Sequence, residues 1–203
     1  MLDWSVETLH AHPDVASIVV VAPAGDVAAL SQAMAGKAEV VAGGATRQQS
    51  VGHGLAALPA DARHVLVHDA ARPLLTAMTI TSVVAAMQAG ADAVIPVLPV
   101  VDTVKRVDHR GQVVATLDRA ELRIVQTPQG FRRDVLVAAH RSAADLGMTD
   151  ATDDAGLVES IGRVVATVAG SHSAFKITTP DDLAAARRLV EPSARAGSAG
   201  PHE

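Results

Sequence analysis

The sequence predicts an α/β domain whose sheet is mostly parallel. Apolar, β-branched runs alternate with segments of helical periodicity over most of the 203 residues, as in strands joined by crossover helices. The runs at residues 17 to 22, 64 to 67 and 93 to 96 are almost wholly apolar, which is typical of strands buried on both faces. A chain of this length fits one domain, which we place at residues 1 to 190.

Composition excludes several classes of function. The formal net charge is −5 and no basic block occurs, which argues against a nucleic-acid partner. The absence of Cys excludes thiolate nucleophiles and Cys-based zinc sites. No stretch is long enough to span a membrane, and the first residues, with Asp3 and Glu7, do not resemble a secretory signal. We therefore expect no membrane partner and a cytoplasmic location.

Helix and strand patterns alternate along the chain. Helices are expected at residues 2 to 12, 26 to 35, 48 to 58, from 76 or 79 to 89, 133 to 146, from the Asp150–Asp154 region to 161, and from 180 to 190. Strands are expected at residues 17 to 22, 39 to 41, 64 to 67, 93 to 96 and 164 to 168. The acids Asp150, Asp153 and Asp154 either cap a helix or bind a metal ion. Residues 191 to 203, rich in Pro, Ser, Gly and Ala, are expected to be a disordered tail.

Two loops carry candidate functional residues. Gly43 and Gly44 precede a helix, where backbone N–H groups can approach a nucleotide, although a plain βα turn is the simpler explanation. Asp69 and Arg72 follow the strand at 64 to 67, and strand ends of this kind are where α/β sheets bind ligands. Asp69 could hold a divalent cation and Arg72 a phosphate or carboxylate. The alternative is a structural ion pair that closes the turn.

Residues 100 to 126 interrupt the α/β alternation. Alternating residues on either side of the polar turn at Asp108–Gly111 predict a β-hairpin. Because a hairpin alone cannot bury its apolar residues, it is either an arm that reaches another subunit or a flap over its own sheet.

Several short motifs occur in a fixed order. They are Gly43-Gly44-x-x-Arg47-x-x-Ser50-Val51, Val67-His68-Asp69-Ala70-Ala71-Arg72-Pro73, Asp102-Thr103-x-Lys105, Arg119-x-x-Leu122, Gln126-Thr127-Pro128-Gln129-Gly130-Phe131, Thr152-Asp153-Asp154 and Phe175-Lys176-Ile177-Thr178. Together the motifs resemble those of 2-C-methyl-D-erythritol 4-phosphate cytidylyltransferases over about residues 1 to 190.

The resemblance implies a Rossmann-like nucleotidyltransferase sheet with an inserted β-hairpin arm, and a homodimer that exchanges these arms. It implies the third step of the non-mevalonate isoprenoid route, in which CTP and methylerythritol phosphate give the CDP-linked alcohol and pyrophosphate with the help of Mg²⁺. A cytidylyltransferase for another polyol phosphate, such as ribitol 5-phosphate, shares nearly all the nucleotide-side motifs. A non-catalytic nucleotide or sugar-phosphate binding module is the alternative from another class.

The family's ligand-binding positions can be transferred residue by residue. They match Gly43, Gly44, Ser50, Ala70, Arg72, Thr103, Thr127 and Thr152, with Asp69 at the metal. By this match, Gly43, Gly44 and Ser50 would recognise the cytosine. Asp69 would lie on the metal and ribose side, and Arg72 would serve the substrate end.

The substrate side of the match includes the arm. Thr103 and Arg119 would reach the methylerythritol phosphate bound by the partner subunit, and Thr127, Thr152 and Lys176 would complete that pocket. Arg119 and Lys176 are the expected catalytic residues, because the resemblance has them orient the attacking phosphate.

One departure from the family concerns the amino terminus. The family opens with a strand and a Gly-rich loop that carries an Arg and a Lys, whereas this sequence starts with the helix that follows them. That strand would be a central one, so we expect a gap in the sheet. The expectation is either that Met1 lies inside a longer reading frame or that the protein is a catalytically impaired remnant.

Overall fold

A computed structural model describes residues 1–149 and 151–190. Its helices are α1 (Leu2–His10), α2 (Val27–Ala33), α3 (Arg47–Ala57), α4 (Ala77–Gln88), α5 (Arg133–Asp145), α6 (Asp154–Ser160) and α7 (Pro180–Val190). Its strands are β1 (Val19–Ala22), β2 (Glu39–Ala42), β3 (His64–Val67), β4 (Ala93–Pro99), β5 (Lys105–Val107), β6 (Val113–Thr116), β7 (Arg123–Val125), β8 (Gln129–Arg132) and β9 (Val165–Ala169). Short 3₁₀ turns lie at Ala24–Asp26, Arg119–Glu121 and His172–Ala174. The Asp150 position and the predicted tail at 191 to 203 lie outside the described residues.

The main sheet has five strands, in which β8 lies between β3 and β4, and β7 and β9 also pair with β4. Strands β3, β4 and β9 run in one direction, while β7 and β8 run in the opposite direction. The predicted α/β class is thus confirmed, and three of the five strands of this sheet share one direction. The insertion of antiparallel β8 between two parallel strands is a detail that the apolar pattern did not reveal, because periodicity carries no information about direction.

Helices cover both faces of the main sheet. Phe131 of β8 packs with Leu136 of α5 and Leu157 of α6, and all three side chains are fully buried. On the other face, α4 approaches so closely that a Cβ on Gly130 would lie 2.5 Å from Val83 Cγ1. Each buried side chain of this size contributes roughly 1.5–3 kcal/mol relative to exposure, so this contact layer holds α4, α5 and α6 to the sheet.

A second, two-stranded parallel sheet consists of β1 and β2. A cavity of about 680 Å³ lies between this sheet and β3. Helix α3 spans both sheets, since Gly54 lies against Val21 of β1 and Leu55 packs with Val65 of β3. The prediction that β3 is buried on both faces was wrong. Only Val65 is buried in it, because one edge of β3 faces the cavity.

The predicted hairpin is present as β5 and β6. Its turn is organised by Asp108, whose Oδ1 accepts hydrogen bonds from the backbone N–H groups of Arg110 and Gln112, both at 2.9 Å. Val113 and Val114 are more than half exposed, at 61% and 53%. The hairpin therefore buries little of its own apolar surface within one chain.

Capping side chains set two helix starts that the sequence left open. Thr76, rather than Thr79, caps α4 and accepts a hydrogen bond from Thr79 N at 3.2 Å. Asp153 caps α6 through a 2.9 Å hydrogen bond from Gly156 N, as the capping interpretation expected. Among the described residues, no helix is long and apolar enough to cross a bilayer.

Candidate active site

Asp69 lies beyond the carboxyl end of β3, between two cations. Lys176 Nζ is 3.1 Å from Oδ2 of Asp69, and Arg47 Nε is 3.6 Å from Oδ1. Burial alone would raise the pKa of Asp69, but the hydrogen bond from Lys176 and the charges of Lys176, Arg47 and Arg72 outweigh burial and lower the pKa. The carboxylate stays ionised, and with 21% of the side chain exposed it is accessible to a ligand.

Within residues 1–149 and 151–190, no group of three or more His, Asp or Glu side chains is placed to hold a metal ion. A metal at Asp69 would therefore be held by this carboxylate together with oxygens of a bound ligand. Mg²⁺ is commonly bound in that way, through one or two carboxylates and the phosphates of a substrate. The donor chemistry of Asp69 fits such an ion.

A buried carboxylate fixes Arg47 from the side opposite Asp69. Arg47 Nη1 donates a 2.7 Å hydrogen bond to Oδ2 of Asp154, whose side chain is fully buried, and His140 Nε2 lies 2.8 Å from Oδ1. Burial would lower the pKa of Arg47, but the charges of Asp154 and Asp69 together raise it. Arg47 begins α3 and Asp154 begins α6, so the starts of two helices meet at this ion pair.

His68 links three neighbouring residues through a directed chain of hydrogen bonds. Its Nε2 lies 3.2 Å from the carbonyl oxygen of Arg72, which can only accept, so Nε2 carries the proton. Nδ1 then accepts from the Thr127 hydroxyl at 2.9 Å, and Thr127 Oγ1 accepts from Asp69 N at 3.0 Å. Burial is the main reason why the pKa of His68 is lowered to about 4. The imidazole is therefore neutral at pH 7 and holds the backbone of Asp69 in place.

Arg72 is bound to backbone carbonyl groups in the described residues. Its Nη1 donates to Ala174 O at 2.9 Å and its Nη2 to Val125 O at 3.2 Å. The guanidinium therefore ties the end of β7 to the turn before Lys176. No ion pair with Asp69 forms among the described residues, so the structural pair considered from the sequence is not found. A ligand-binding role for Arg72 stays a prediction.

The two glycines before α3 are needed for close packing. A Cβ on Gly43 would lie 2.8 Å from Ser50 Oγ, and one on Gly44 would lie 2.4 Å from Gln49 Cβ. Ser50 Oγ accepts from Gly44 N at 3.1 Å and donates to Thr46 O at 2.9 Å. Ser50 thereby shapes the loop. Recognition of cytosine by these residues stays a prediction, as does the role of the exposed Ala70 beside Asp69.

The arm residues lie apart from the Asp69 cluster, by which we mean Asp69 with Arg47, His68, Asp154 and Lys176. Thr103 and Arg119 are exposed, and the guanidinium of Arg119 donates to the carbonyl of Val101. The described residues show no contact between either side chain and Asp69. Thr152 is also exposed, just ahead of α6. Of the predicted substrate residues, the chain therefore brings Lys176 to Asp69 directly, and Thr127 through its hydrogen bond to the backbone.

Three residues of this cluster were not singled out as site residues from the sequence. Arg47 and Asp154 are far apart in the chain, and no local spacing reveals an ion pair over that separation. Asp154 also resembled part of a capping group. His68 carried a usable signal, because it directly precedes Asp69 at the end of a strand.

Comparisons with known proteins agree with this geometry. Residues 1–192 match the family model of 2-C-methyl-D-erythritol 4-phosphate cytidylyltransferase. A relative with that name from Frankia casuarinae is 50% identical over 190 residues, covering 94% of this chain and 70% of the relative. One from Rhodococcus opacus is 48% identical, covering 96% of this chain and 84% of the relative.

Solved structures show the same likeness. The crystal structure of 2-C-methyl-D-erythritol 4-phosphate cytidylyltransferase from Thermus thermophilus is similar with a TM-score of 0.80 and 39% identity, covering 93% of this chain and 87% of that one. A 4-diphosphocytidyl-2C-methyl-D-erythritol synthase from Anaerococcus prevotii gives a TM-score of 0.84 at 28% identity, covering 93% and 84%. By sequence and fold, the chain belongs to the 2-C-methyl-D-erythritol 4-phosphate cytidylyltransferase family, whose members are nucleotidyltransferase enzymes.

Proposed function

We propose that this protein transfers the cytidylyl group of CTP to 2-C-methyl-D-erythritol 4-phosphate. The observation that carries the proposal is the ionised carboxylate of Asp69, flanked by Lys176 and Arg47 beyond the end of a sheet strand. Two cations and one carboxylate at such a strand end suit phosphoryl chemistry, and family membership supplies the two substrates.

The reaction joins two phosphates and releases pyrophosphate. An oxygen of the methylerythritol phosphate forms a bond to the α-phosphorus of CTP, and the bond from that phosphorus to the bridging oxygen of pyrophosphate breaks. The nucleophile is already an anion, so the protein mainly positions the reactants and offsets charge. Lys176 is the described cation best placed to orient the attacking phosphate, and Arg47 keeps Asp69 in position.

Asp69 would hold the divalent cation, for which we propose Mg²⁺. When bound, the ion would draw negative charge from the phosphate oxygens at the reacting centre. Asp69 suits this role because its lowered pKa keeps it ionised while leaving it accessible.

We also propose that the working enzyme is a homodimer that exchanges its hairpin arms. Support comes from the exposed valines of the hairpin and from the separation between Arg119 and the Asp69 cluster within one chain. Exchange would bring Arg119 and Thr103 to the partner's substrate. We expect the cytoplasm as the compartment, since CTP and polyol phosphates are highly charged and do not cross membranes unaided.

Release of pyrophosphate from CTP tests the proposed reaction. The assay contains the full chain, Mg²⁺ and either methylerythritol phosphate or ribitol 5-phosphate. In a catalytically active form of the protein, we expect release with methylerythritol phosphate, and its loss in Asp69→Asn but not in Asp61→Asn, a control at an exposed turn. Preferred turnover of ribitol 5-phosphate would overturn the substrate assignment. Binding of CTP without release would favour the non-catalytic binding module.

A further inference from the structure

Gln126 is a buried polar residue to which the proposed reaction assigns no role. It directly follows β7 and is only 2% exposed. Its amide oxygen accepts a hydrogen bond from Ser171 N at 3.0 Å. Its amide nitrogen donates to Ser171 O at 2.8 Å and to Ala174 O at 3.3 Å. All three hydrogen bonds therefore go to the backbone of the short turn that precedes Lys176.

The segment that carries Lys176 depends on such hydrogen bonds. It connects β9 to α7, and the structure, which describes residues 170 to 179 throughout, shows only the 3₁₀ turn at His172–Ala174 within it. A segment that is neither in a helix nor paired in a sheet must find partners for its backbone N–H and C=O groups elsewhere. Here the buried amide of Gln126 provides them for the turn.

The backbone of this segment is held on both sides of Lys176. On one side, Ala174 O accepts a second hydrogen bond, from Arg72 Nη1 at 2.9 Å. On the other side, Ile177 N donates to Ala71 O at 2.8 Å. Because Lys176 comes between these two points, the position of its backbone depends on the turn that Gln126 holds.

Gly170 allows Gln126 to lie against the turn. A Cβ on Gly170 would lie 2.4 Å from Gln126 Oε1 and 3.2 Å from Val97 O. Gly170 N also donates to Val97 O at 2.9 Å, so the glycine cannot move away without losing that hydrogen bond. The amide and the turn therefore fit together in one relative position.

We propose that Gln126 is a positioning residue, which fixes the turn at His172–Ala174 and thereby places Nζ of Lys176 against Asp69. The Lys176 side chain is flexible and 48% exposed, so its 3.1 Å contact with Asp69 requires a backbone held at the right distance. That Lys176 then orients the attacking phosphate rests on the function proposed above, whereas the placement of Lys176 does not.

Gln129 provides a matched comparison from the same stretch of chain. It is 1% exposed, its Nε2 donates to Asp153 Oδ2 at 2.8 Å, and its Oε1 accepts from Ala155 N at 3.3 Å. Gln129 therefore holds the start of α6 and not the segment that carries Lys176. If a buried glutamine served only general stability, replacement of either glutamine would affect Lys176 equally.

The test measures how fast an acetylating reagent modifies each lysine, by peptide mass spectrometry. The chain has three lysines, Lys37, Lys105 and Lys176, so each can be followed separately. Gln126→Met keeps a side chain of similar size but removes its hydrogen bonds. We expect Lys176 to react about two- to fivefold faster in Gln126→Met, since a partly exposed ion pair changes an equilibrium by about that factor. Gln129→Met should leave Lys176 unchanged, and Lys37 and Lys105 should react as in the parent in both variants.

Asp69→Asn supplies the reference rate, because it removes the ion-pair partner of Lys176 directly. We expect Lys176 in Gln126→Met to react nearly as fast as in this reference. A rate equal to that of the parent, or equal increases in Gln126→Met and Gln129→Met, would overturn the proposal. Acetylation is measured without substrates, so these results do not depend on whether the chain transfers a cytidylyl group.

Amide hydrogen exchange is the second measurement, should Gln126→Met fold poorly. Gly170→Ala keeps Gln126 but places a Cβ against its Oε1, and should displace the amide from the turn. In either variant we expect the amides of Ser171 and Ile177 to exchange about fivefold faster, and those of the hairpin β5–β6 to exchange as before. Faster exchange at Ser171 alone would confine the effect of Gln126 to its own contact and would contradict the proposal.

Kinetics in a catalytically active form of the protein give the functional readout. We expect Gln126→Met to lower kcat/KM for methylerythritol phosphate about tenfold and to leave KM for CTP unchanged, because Lys176 is assigned to the attacking phosphate. An equal loss for both substrates would contradict a positioning role. Faster acetylation of Lys176 with unchanged kinetics would confirm the placement by Gln126 and overturn the role proposed for Lys176 in the reaction.

Discussion

Arg47 and Asp154 form a 2.7 Å ion pair in which the carboxylate is fully buried. This pair holds the guanidinium of Arg47 3.6 Å from Asp69, the candidate metal ligand. Asp154 therefore influences the surroundings of Asp69 without contacting a ligand itself. His140 contacts the other oxygen of Asp154 at 2.8 Å. Both oxygens therefore have partners, which is the condition for tolerating a buried charge.

Removal of this carboxylate should destabilise the fold. In Asp154→Ala, Arg47 would lose its closer partner and keep only the 3.6 Å contact with Asp69, while two thirds of its side chain stay covered, since 33% of it is exposed. We expect a loss of about 2–4 kcal/mol in the free energy of unfolding, somewhat below the range for a fully buried pair. Urea unfolding measures this loss.

Asp134→Ala is the matched control for that measurement. Asp134 forms a 2.6 Å ion pair with Arg132, but its side chain is 66% exposed. Exposed pairs contribute about 0–1 kcal/mol, so this change should have little effect. Similar losses in both variants would show that the Arg47–Asp154 pair has no special structural importance.

The stability of the folded chain should depend on the protonation of His68. Its pKa is lowered to about 4 from 6.5, so the unfolded chain binds this proton more readily. The contribution is fully present above pH 6.5 and is lost as the pH falls towards 4. It amounts to roughly 3 kcal/mol. His68→Gln should flatten this part of the curve of unfolding free energy against pH, whereas His109→Gln, in the exposed hairpin turn, should not. Parallel curves for the parent and His68→Gln would contradict the assignment.

Local patterns were sufficient to predict most of the helices and strands. Runs such as residues 93 to 95 are wholly apolar, as in a covered strand, and Thr76 and Asp153 are residue types that begin helices. What local patterns could not reveal is the antiparallel placement of β8. Strand direction depends on the path of the whole chain, and residues 100 to 128 separate β8 from β4.

The candidate site was predictable only where its residues adjoin a strand end. Asp69 could be recognised because it lies two residues after the end of β3, and Lys176 through the motif that resembles the family. The positions of Arg47 and Asp154 depend on how α3 and α6 pack, which is a tertiary relationship. Arg72 shows the opposite difficulty, because a residue type suited to phosphate instead donates to two backbone carbonyls in this chain.

Deletion of residues 107 to 114 should abolish the dimer that we propose. These residues include Val107, Val113 and Val114, which are all more than half exposed in one chain. If the arms cross between subunits, their burial drives association, and the shortened chain should sediment as a monomer. Replacing the three valines by Thr keeps β propensity and should weaken the dimer without removing the hairpin. A deletion variant that still sediments as a dimer would mean that the hairpin is only a flap.

Arg119→Ala should impair the use of methylerythritol phosphate and leave CTP binding almost unchanged. A planar guanidinium matches a phosphate monoester, and the exposed Arg119 is bonded only to a backbone carbonyl within the described part of its own chain, so it is available to a neighbouring subunit. We expect kcat/KM for methylerythritol phosphate to fall on the order of 100- to 1000-fold in a catalytically active form of the protein. Arg110→Ala, in the exposed hairpin turn, is the control for loss of charge on the arm.

Steady-state kinetics with each substrate varied in turn would separate the effect on methylerythritol phosphate from the effect on CTP. An equal loss for CTP would place Arg119 on the nucleotide side of the site and would remove the reason for assigning the attacking phosphate to it.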